Sequence, residues 1–332
     1  MRLGEAAMLL PIFLHSRRIL TRWYESAVDV ELLQQQSASL ATRGIYIGTS
    51  SWKYMGWLGQ IYTSENYMYR GKLAKSRFEA GCLQEYARVF STVCVDAGFY
   101  RFPTEPQIAR LVSQVTDGFL FSWKVTDEIT MRHFPNHARY GDRAGRRNTN
   151  FLNAELFQEA FLQPLSYYRD KTGILMFEFS EFHARDFESG QAFFEALDVF
   201  LAQLPCDWQY GVEIRNATFL EGCYFDILQK HHVAHVYNSW TRMPPVQEQI
   251  DRQGARATDF FAARFLLKPG RVYTDAVEAF SPYTRIHEVN APARLAIRAL
   301  TKRNVTRPSY IYVNNRLEGN ALSTIQESLG ES

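Results

Sequence analysis

A (β/α)8 barrel is the fold class predicted for this chain. Eight short runs of β-branched and aromatic residues recur along it: Ile45–Ile47, Val93–Val95, Phe119–Val125, Ile174–Phe179, Tyr210–Ile214, Val233–Tyr237, Phe260–Leu267 and Tyr310–Val313. A helix-like stretch follows each run, and polar or charged residues stand where several of the runs end. Runs this short and this apolar suit a parallel sheet buried on both faces. A barrel of this kind carries its chemistry at the C-terminal ends of its strands.

The chain has 332 residues, 46% of them hydrophobic, enough for one such barrel of roughly 250 residues with extensions. Residues 1–43 are expected to be an N-terminal extension, partly helical or disordered, and residues 44–332 the barrel domain. Ala6–Leu14 is apolar, but Glu5 precedes it and Pro11 interrupts it, so it makes a poor secretory signal. Trp23–Leu40 could form an amphipathic helix. The formal charge is +2, which gives no global bias toward nucleic acid or membrane. Cys82, Cys94, Cys206 and Cys223 form no C-x-x-C pair, which fits a reduced, cytoplasmic protein. No apolar stretch reaches the roughly 18 residues of a membrane span.

Strand one runs into Gly48-Thr49-Ser50-Ser51-Trp52, where small residues would let backbone approach a ligand. Arg77–Phe90 has one apolar helical face. Strand two ends at Asp96. Thr104 and Gln107 then have capping-box spacing, with Pro106 in the first turn. Strand three carries Lys124, and a long loop, Thr126–Asn150, follows it. Phe151–Arg169 is helical in pattern, although Pro164 should kink or divide it. Phe187–Leu204 and Tyr224–His231 are the next helices. Val246–Gln253, after Pro244-Pro245, is too polar to fix a helical phase. Ala291–Lys302 is expected as the seventh helix and Asn320–Leu329 as the last.

Five segments taken in order carry a family resemblance: Ile47–Trp52, Leu83–Pro103 with Phe99-Tyr100-Arg101-Phe102-Pro103, Phe119–Thr130 around Lys124, Tyr210–Arg215 with Val212-Glu213-Ile214-Arg215, and Tyr312–Ala321 with Asn314-Asn315. Together they resemble the YecE-like family, otherwise known as domain of unknown function seventy-two, over roughly residues 45–329. The resemblance implies a TIM-type barrel with an open cleft at its C-terminal face, and brings no established reaction. The family's usual Glu in strand two stands here as Cys94, and the Asn two residues on as Asp96. Its Phe-Gln-Leu-Pro-Pro segment in strand four reads Phe177-Glu178-Phe179-Ser180-Glu181.

The candidate chemistry lies at the strand ends. Glu213 and Arg215, two apart on strand five, point to one face. They could face a substrate or simply close the barrel top as an ion pair. Glu178 on strand four could join Glu213 as a carboxylate pair, one protonated and one ionised. Alternatively it faces the helices. Asp96 and Lys124 complete the catalytic candidates. Arg215 and Lys268 are expected to bind an anion, Lys268 near the usual barrel phosphate site after strand seven. Ser50, Trp52, Tyr100, Asn238, Asn314 and Asn315 are expected to line the mouth, though asparagines also cap helices. The loop after strand three is basic, with Arg132, His133, His137, Arg139, Arg143, Arg146 and Arg147. It could receive nucleic acid or remain a solvated loop.

No cofactor is named by the sequence. His133-x-x-x-His137 contains Pro135, which argues against a helical metal pair, whereas Asp96, Glu178 and Glu213 could hold magnesium or manganese. No Walker loop, dinucleotide fingerprint or nucleophile elbow is present. The expected partner is a small anionic molecule or a nucleic acid, with no membrane. The leading expectation is an enzyme, a hydrolase or lyase, acting on a phosphate-containing substrate. The rivals are a sugar-processing barrel using Glu178 and Glu213, and a non-catalytic binding protein.

Overall fold

A computed structural model describes residues 28–330. The signal-like segment Ala6–Leu14 and the first part of the Trp23–Leu40 helix lie outside the described residues. The remainder of that helix is observed as Val30–Thr42, started by Asp29, whose side chain accepts from Leu32 N–H at 3.0 Å. Its Leu33 and Leu40 enter the main core. Asp29 N–H also bonds Gln326 Oε1 at 2.7 Å, joining this helix to the last one, Ala321–Leu329.

Eight parallel strands close into a barrel. They are β1 (Ile45–Thr49), β2 (Thr92–Val95), β3 (Leu120–Lys124), β4 (Thr172–Phe179), β5 (Gln209–Ile214), β6 (Ala234–Ser239), β7 (Ala262–Phe265) and β8 (Ser309–Val313). Each expected run contributes one strand. The ladder between β1 and β2 is the shortest, a single pair Thr49↔Val93. Alternation along the strands separates two cores. Residues such as Phe121, Trp123, Phe177 and Val212 point out to the helices, in the large outer cluster. Cys94, Ile174, Met176, Val236, Ala262 and Tyr312 fill the inside. Tyr312 donates to Ser122 Oγ at 2.5 Å and also pairs with Thr92 Oγ1 at 2.8 Å, so the barrel centre is cross-linked by hydroxyls.

Local sequence explains the helices. Glu105–Val112 carries the expected Thr104–Gln107 capping box. The segment with Pro164 is divided: Ala154–Phe157 and Gln163–Ser166 are α-helical, and a π-turn over Gln158–Leu162 lies between them. The wider turn accommodates a residue that has no N–H to donate.

Val246–Gln253 is a helix despite its polarity. Gln249 is fully buried. Its Nε2 donates to the carbonyls of Asn238 at 2.6 Å and Pro244 at 2.7 Å, and its Oε1 accepts from Asn238 N–H at 3.1 Å. The helix docks on β6 through this amide as well as through Val246 and Ile250, so its apolar signal is thin. Gln249→Leu should leave those β6 backbone groups unpaired and destabilise the fold by about 2–3 kcal/mol in urea denaturation.

Two elements were not anticipated. A helix, Tyr273–Phe280, lies between β7 and Ala291–Thr301, and a small hairpin pairs Met68–Tyr69 with Lys72–Leu73. The loop after β3 is folded. Phe99, Met131, Phe134 and Tyr140 form its own small core. Asn148 Nδ2 donates to the carbonyls of Glu128 and Met131, and Arg143 pairs with Glu128.

Candidate functional site at the barrel mouth

At or just beyond the ends of β2, β3, β4, β5 and β7 the inward phase carries a charged residue, and these residues meet. Glu178 and Glu213 are direct neighbours in the β4–β5 register. Arg215 follows two residues after Glu213, and Lys124 closes β3. Their common centre is Arg264 on β7. Its Nη1 lies 2.5 Å from Glu178 Oε2 and 2.7 Å from Glu213 Oε2, and its Nη2 lies 3.3 Å from Asp96 Oδ1. Arg215 Nη2 bridges the same two glutamates, at 2.5 Å from Glu213 and 3.1 Å from Glu178. Lys124 Nζ is 3.0 Å from Glu178 Oε1. Three cations and three carboxylates thus interlock.

Aromatic faces support two of the cations. The Arg215 guanidinium lies 4.0 Å from the Trp240 ring centroid, and Lys124 Nζ lies 3.5 Å from that of Phe99. Such contacts strengthen when desolvated. Glu213 is wholly buried and Arg264 nearly so, whereas the Asp96 side chain retains 39% exposure.

Burial opposes charge on Glu178. Lys124, Arg215 and Arg264 together outweigh it and hold this carboxyl well below the usual carboxylate range. Arg264 is likewise disfavoured by burial, and Glu213 outweighs that and holds the guanidinium charged. The Cys94 thiol, 3.9 Å from Asp96 Oδ1, is pushed up by burial and is not a thiolate nucleophile.

These facts correct part of the expected chemistry. Glu178 faces the barrel interior, not the helices, but it cannot serve as the protonated member of an acid–base pair. The two glutamates do not flank an open gap either. Guanidinium nitrogens occupy the space between them, where a glycosidase holds its sugar. Arg264 was not anticipated. The available signal was one charge inside the apolar run Phe260–Leu267, in the same phase as Ala262.

The other expected residues divide. Lys268 does not join the cluster; it pairs with Glu288, as does Arg271. Asn315 is turned to the outside, where its Oδ1 accepts from Ala321 N–H at 2.7 Å and fixes the start of the last helix. Asn314 folds its Oδ1 onto Arg316 N–H at 3.0 Å. Asn238 is buried against the carbonyls of Ile214 and Val236. Ser50 is buried, and Trp52 packs into the outer core. Tyr100 is exposed and stacks with Arg139, 4.7 Å from ring centroid to guanidinium. Gly48 faces the Thr92 carbonyl of β2 and the Tyr86 hydroxyl of the helix Lys75–Val89, in the place where a ligand was expected.

Metal ligation finds little purchase here. Glu178 and Glu213 are both ion-paired to Arg215 and Arg264, and Glu178 to Lys124 as well. Among the described residues no group of three His, Cys, Asp or Glu side chains is arranged for a metal ion. No helix among them is long and apolar enough to cross a membrane.

Comparison with solved structures supports the barrel. A DUF72 family protein of Enterococcus faecalis matches with a TM-score of 0.56 at 16% identity, over 87% of this chain and 96% of that one. A DUF72 family protein of Thermotoga maritima matches with a TM-score of 0.55 at 18% identity, over 86% of this chain and 97% of that one. At these identities the likeness concerns the fold. No curated protein matches the chain. The profile of the family described as protein of unknown function DUF72 matches residues 46–330. With most of its length matched, the chain belongs to the DUF72 family.

Proposed function

We propose that the barrel mouth binds an anionic, phosphate-containing substrate and acts on it by proton transfer. The observation that carries this is the state of the arginines. Arg215 Nε and Nη1 and Arg264 Nε are buried hydrogen-bond donors with no acceptor among the described residues. Such donors are costly to leave unmade, and a phosphate oxygen is a strong partner for a guanidinium. The depression of the Glu178 carboxyl fits this reading: Lys124, Arg215 and Arg264 together outweigh its burial.

The roles follow from exposure. Arg215 and Lys124 hold the anion. Glu178 and Glu213 fix the arginines through ion pairs and, buried among cations, are not assigned the role of base. Asp96 is the carboxylate open to solvent and so the one available to accept a proton. Its contact with Arg264 ties it to the anion-holding groups.

A thermal-shift panel tests this with orthophosphate, a sugar phosphate and the corresponding neutral sugar. A ligand at a hundredfold excess over its Kd should stabilise the protein by about 2.7 kcal/mol. The phosphorylated ligands should raise the Tm of the wild type and raise that of Arg215→Ala by much less. A shift from the neutral sugar alone, or an undiminished phosphate shift in Arg215→Ala, would overturn the proposal.

A further inference from the structure

A second cleft lies outside the mouth, on the flank of the barrel between the helices Lys75–Val89 and Glu105–Val112. We propose that it is a nucleotide site, taking a ligand with a flat heterocycle and an anionic phosphate.

The cleft has a volume of about 550 Å³, within the range of small-molecule sites. Its floor is the outward face of β2 and β3, with Val95, Gly98 and Trp123. Trp52 forms a second aromatic wall. Both indoles are almost wholly buried in the outer core, so each reaches the cleft only at its edge, as a rigid apolar boundary fixed by its own packing.

The rim differs in charge from the mouth. Lys53, Arg101 and Arg110 line it and are exposed. Among the described residues none of the three forms an ion pair; Lys53 touches only the Trp52 ring, 5.3 Å from its centroid. The one acid on the rim, Glu79, lies 3.6 Å from Lys75. The mouth cations are interlocked with carboxylates, whereas these three have no carboxylate partner among the described residues. Two lining residues also carry unmet groups: the Trp123 Nε1–H has no acceptor and Gln114 Oε1 has no donor. The edge of a heterocycle presents the complementary acceptor and donor.

Sequence placed Trp52 and Tyr100 at the barrel mouth with the other ligand-binding candidates. The structure instead puts both on this cleft, which gives their aromatic surfaces a use separate from the strand-end cluster.

Tryptophan fluorescence of the full chain, titrated with AMP, adenosine and inorganic phosphate, tests the site. AMP should quench saturably and bind more tightly than adenosine or phosphate alone. Arg101→Glu with Arg110→Glu, both at exposed positions, should weaken AMP at least about tenfold, since loss of one charge-assisted contact suffices for that. Trp123→Phe should weaken it too, and its circular dichroism spectrum must match the wild type for the result to count. In an Arg215→Ala background, where the mouth no longer holds a phosphate, saturable quenching by AMP should persist and should still be lost on adding Arg101→Glu with Arg110→Glu, which separates this site from the mouth. No quenching by AMP, equal affinity for adenosine, or undiminished binding by the double variant would overturn the proposal. Loss of AMP binding in Arg215→Ala would also overturn it, by moving the nucleotide to the mouth.

Discussion

Arg264→Ala should destabilise the protein by about 3–5 kcal/mol at neutral pH, because it strips the shared partner from two buried carboxylates. Arg264 Nη1 touches both Glu178 and Glu213, and Glu213 is wholly buried. Arg215 and Lys124 would still reach Glu178, but Glu213 would keep Arg215 alone. The cost should depend on pH in a definite direction. In the wild type Glu178 titrates well below its ordinary value. Its contribution is therefore complete above the usual carboxylate range and is lost as pH falls through the lower folded-state value. Removing Arg264 raises the carboxyl pKa values, so the variant can relieve its buried charge by taking up a proton. The deficit relative to wild type should be largest at pH 7 and shrink on acidification.

His235, buried and drawn down to about 4 by burial, complicates the absolute curves. Its stabilising effect is full above the ordinary histidine value and fades as pH falls toward 4, in wild type and variant alike. It therefore cancels in the difference. Urea denaturation of both proteins at pH 7 and pH 5 gives the comparison. A deficit below about 1 kcal/mol, or one that grows at pH 5, would show that the network is not held by Arg264. Arg264→Met combined with Glu213→Met should recover part of the loss, since a buried pair replaced by apolar side chains costs less than a pair broken on one side.

Arg264 also marks the boundary of what the sequence could disclose. The eight strands were legible because a parallel strand buried on both faces must be a short apolar run, and each run was bounded by turn residues. Glu213 and Arg215 were legible as same-face neighbours because strand alternation is strict. The phase of Glu178 was not, since an isolated strand does not reveal which face is inside; that needs the β4–β5 register. Lys268 failed for a different reason. Its position after strand seven was right for a phosphate site, but its partner Glu288 comes from a distant loop, invisible to local spacing. The helix Val246–Gln253 was hard to phase because only Val246 and Ile250 mark its inner face and Gln249 between them docks by hydrogen bonds. Gly48 was correctly singled out as a place of close backbone approach, and the identity of the approaching group was what sequence could not supply.

That group defines the second large effect. Gly48→Ala should cost about 3 kcal/mol or more, near the upper end of overpacking substitutions. A Cβ at this position would stand 2.3 Å from the Thr92 carbonyl oxygen and 3.0 Å from the Tyr86 hydroxyl. Relief cannot come from a flexible side chain, because the first of these atoms is backbone. The site is also the seam of the barrel, where β1 and β2 share a single residue pair. Tyr86 compensates for the missing ladder: its hydroxyl donates to Thr92 O at 3.0 Å and accepts from Thr49 N–H at 2.9 Å. An added methyl would therefore push on the backbone and on the side chain that stitches it. Tyr86→Phe provides the control, since it removes the stitch without adding bulk and should cost about 1–3 kcal/mol. If the seam is one cooperative unit, the two substitutions together should cost less than the sum of each alone, because Gly48→Ala already disrupts the Tyr86 bonds. Fully additive losses, or a Gly48→Ala protein as stable as wild type, would mean that β1 and β2 can separate without strain. The barrel would then be closed chiefly by its other seven ladders.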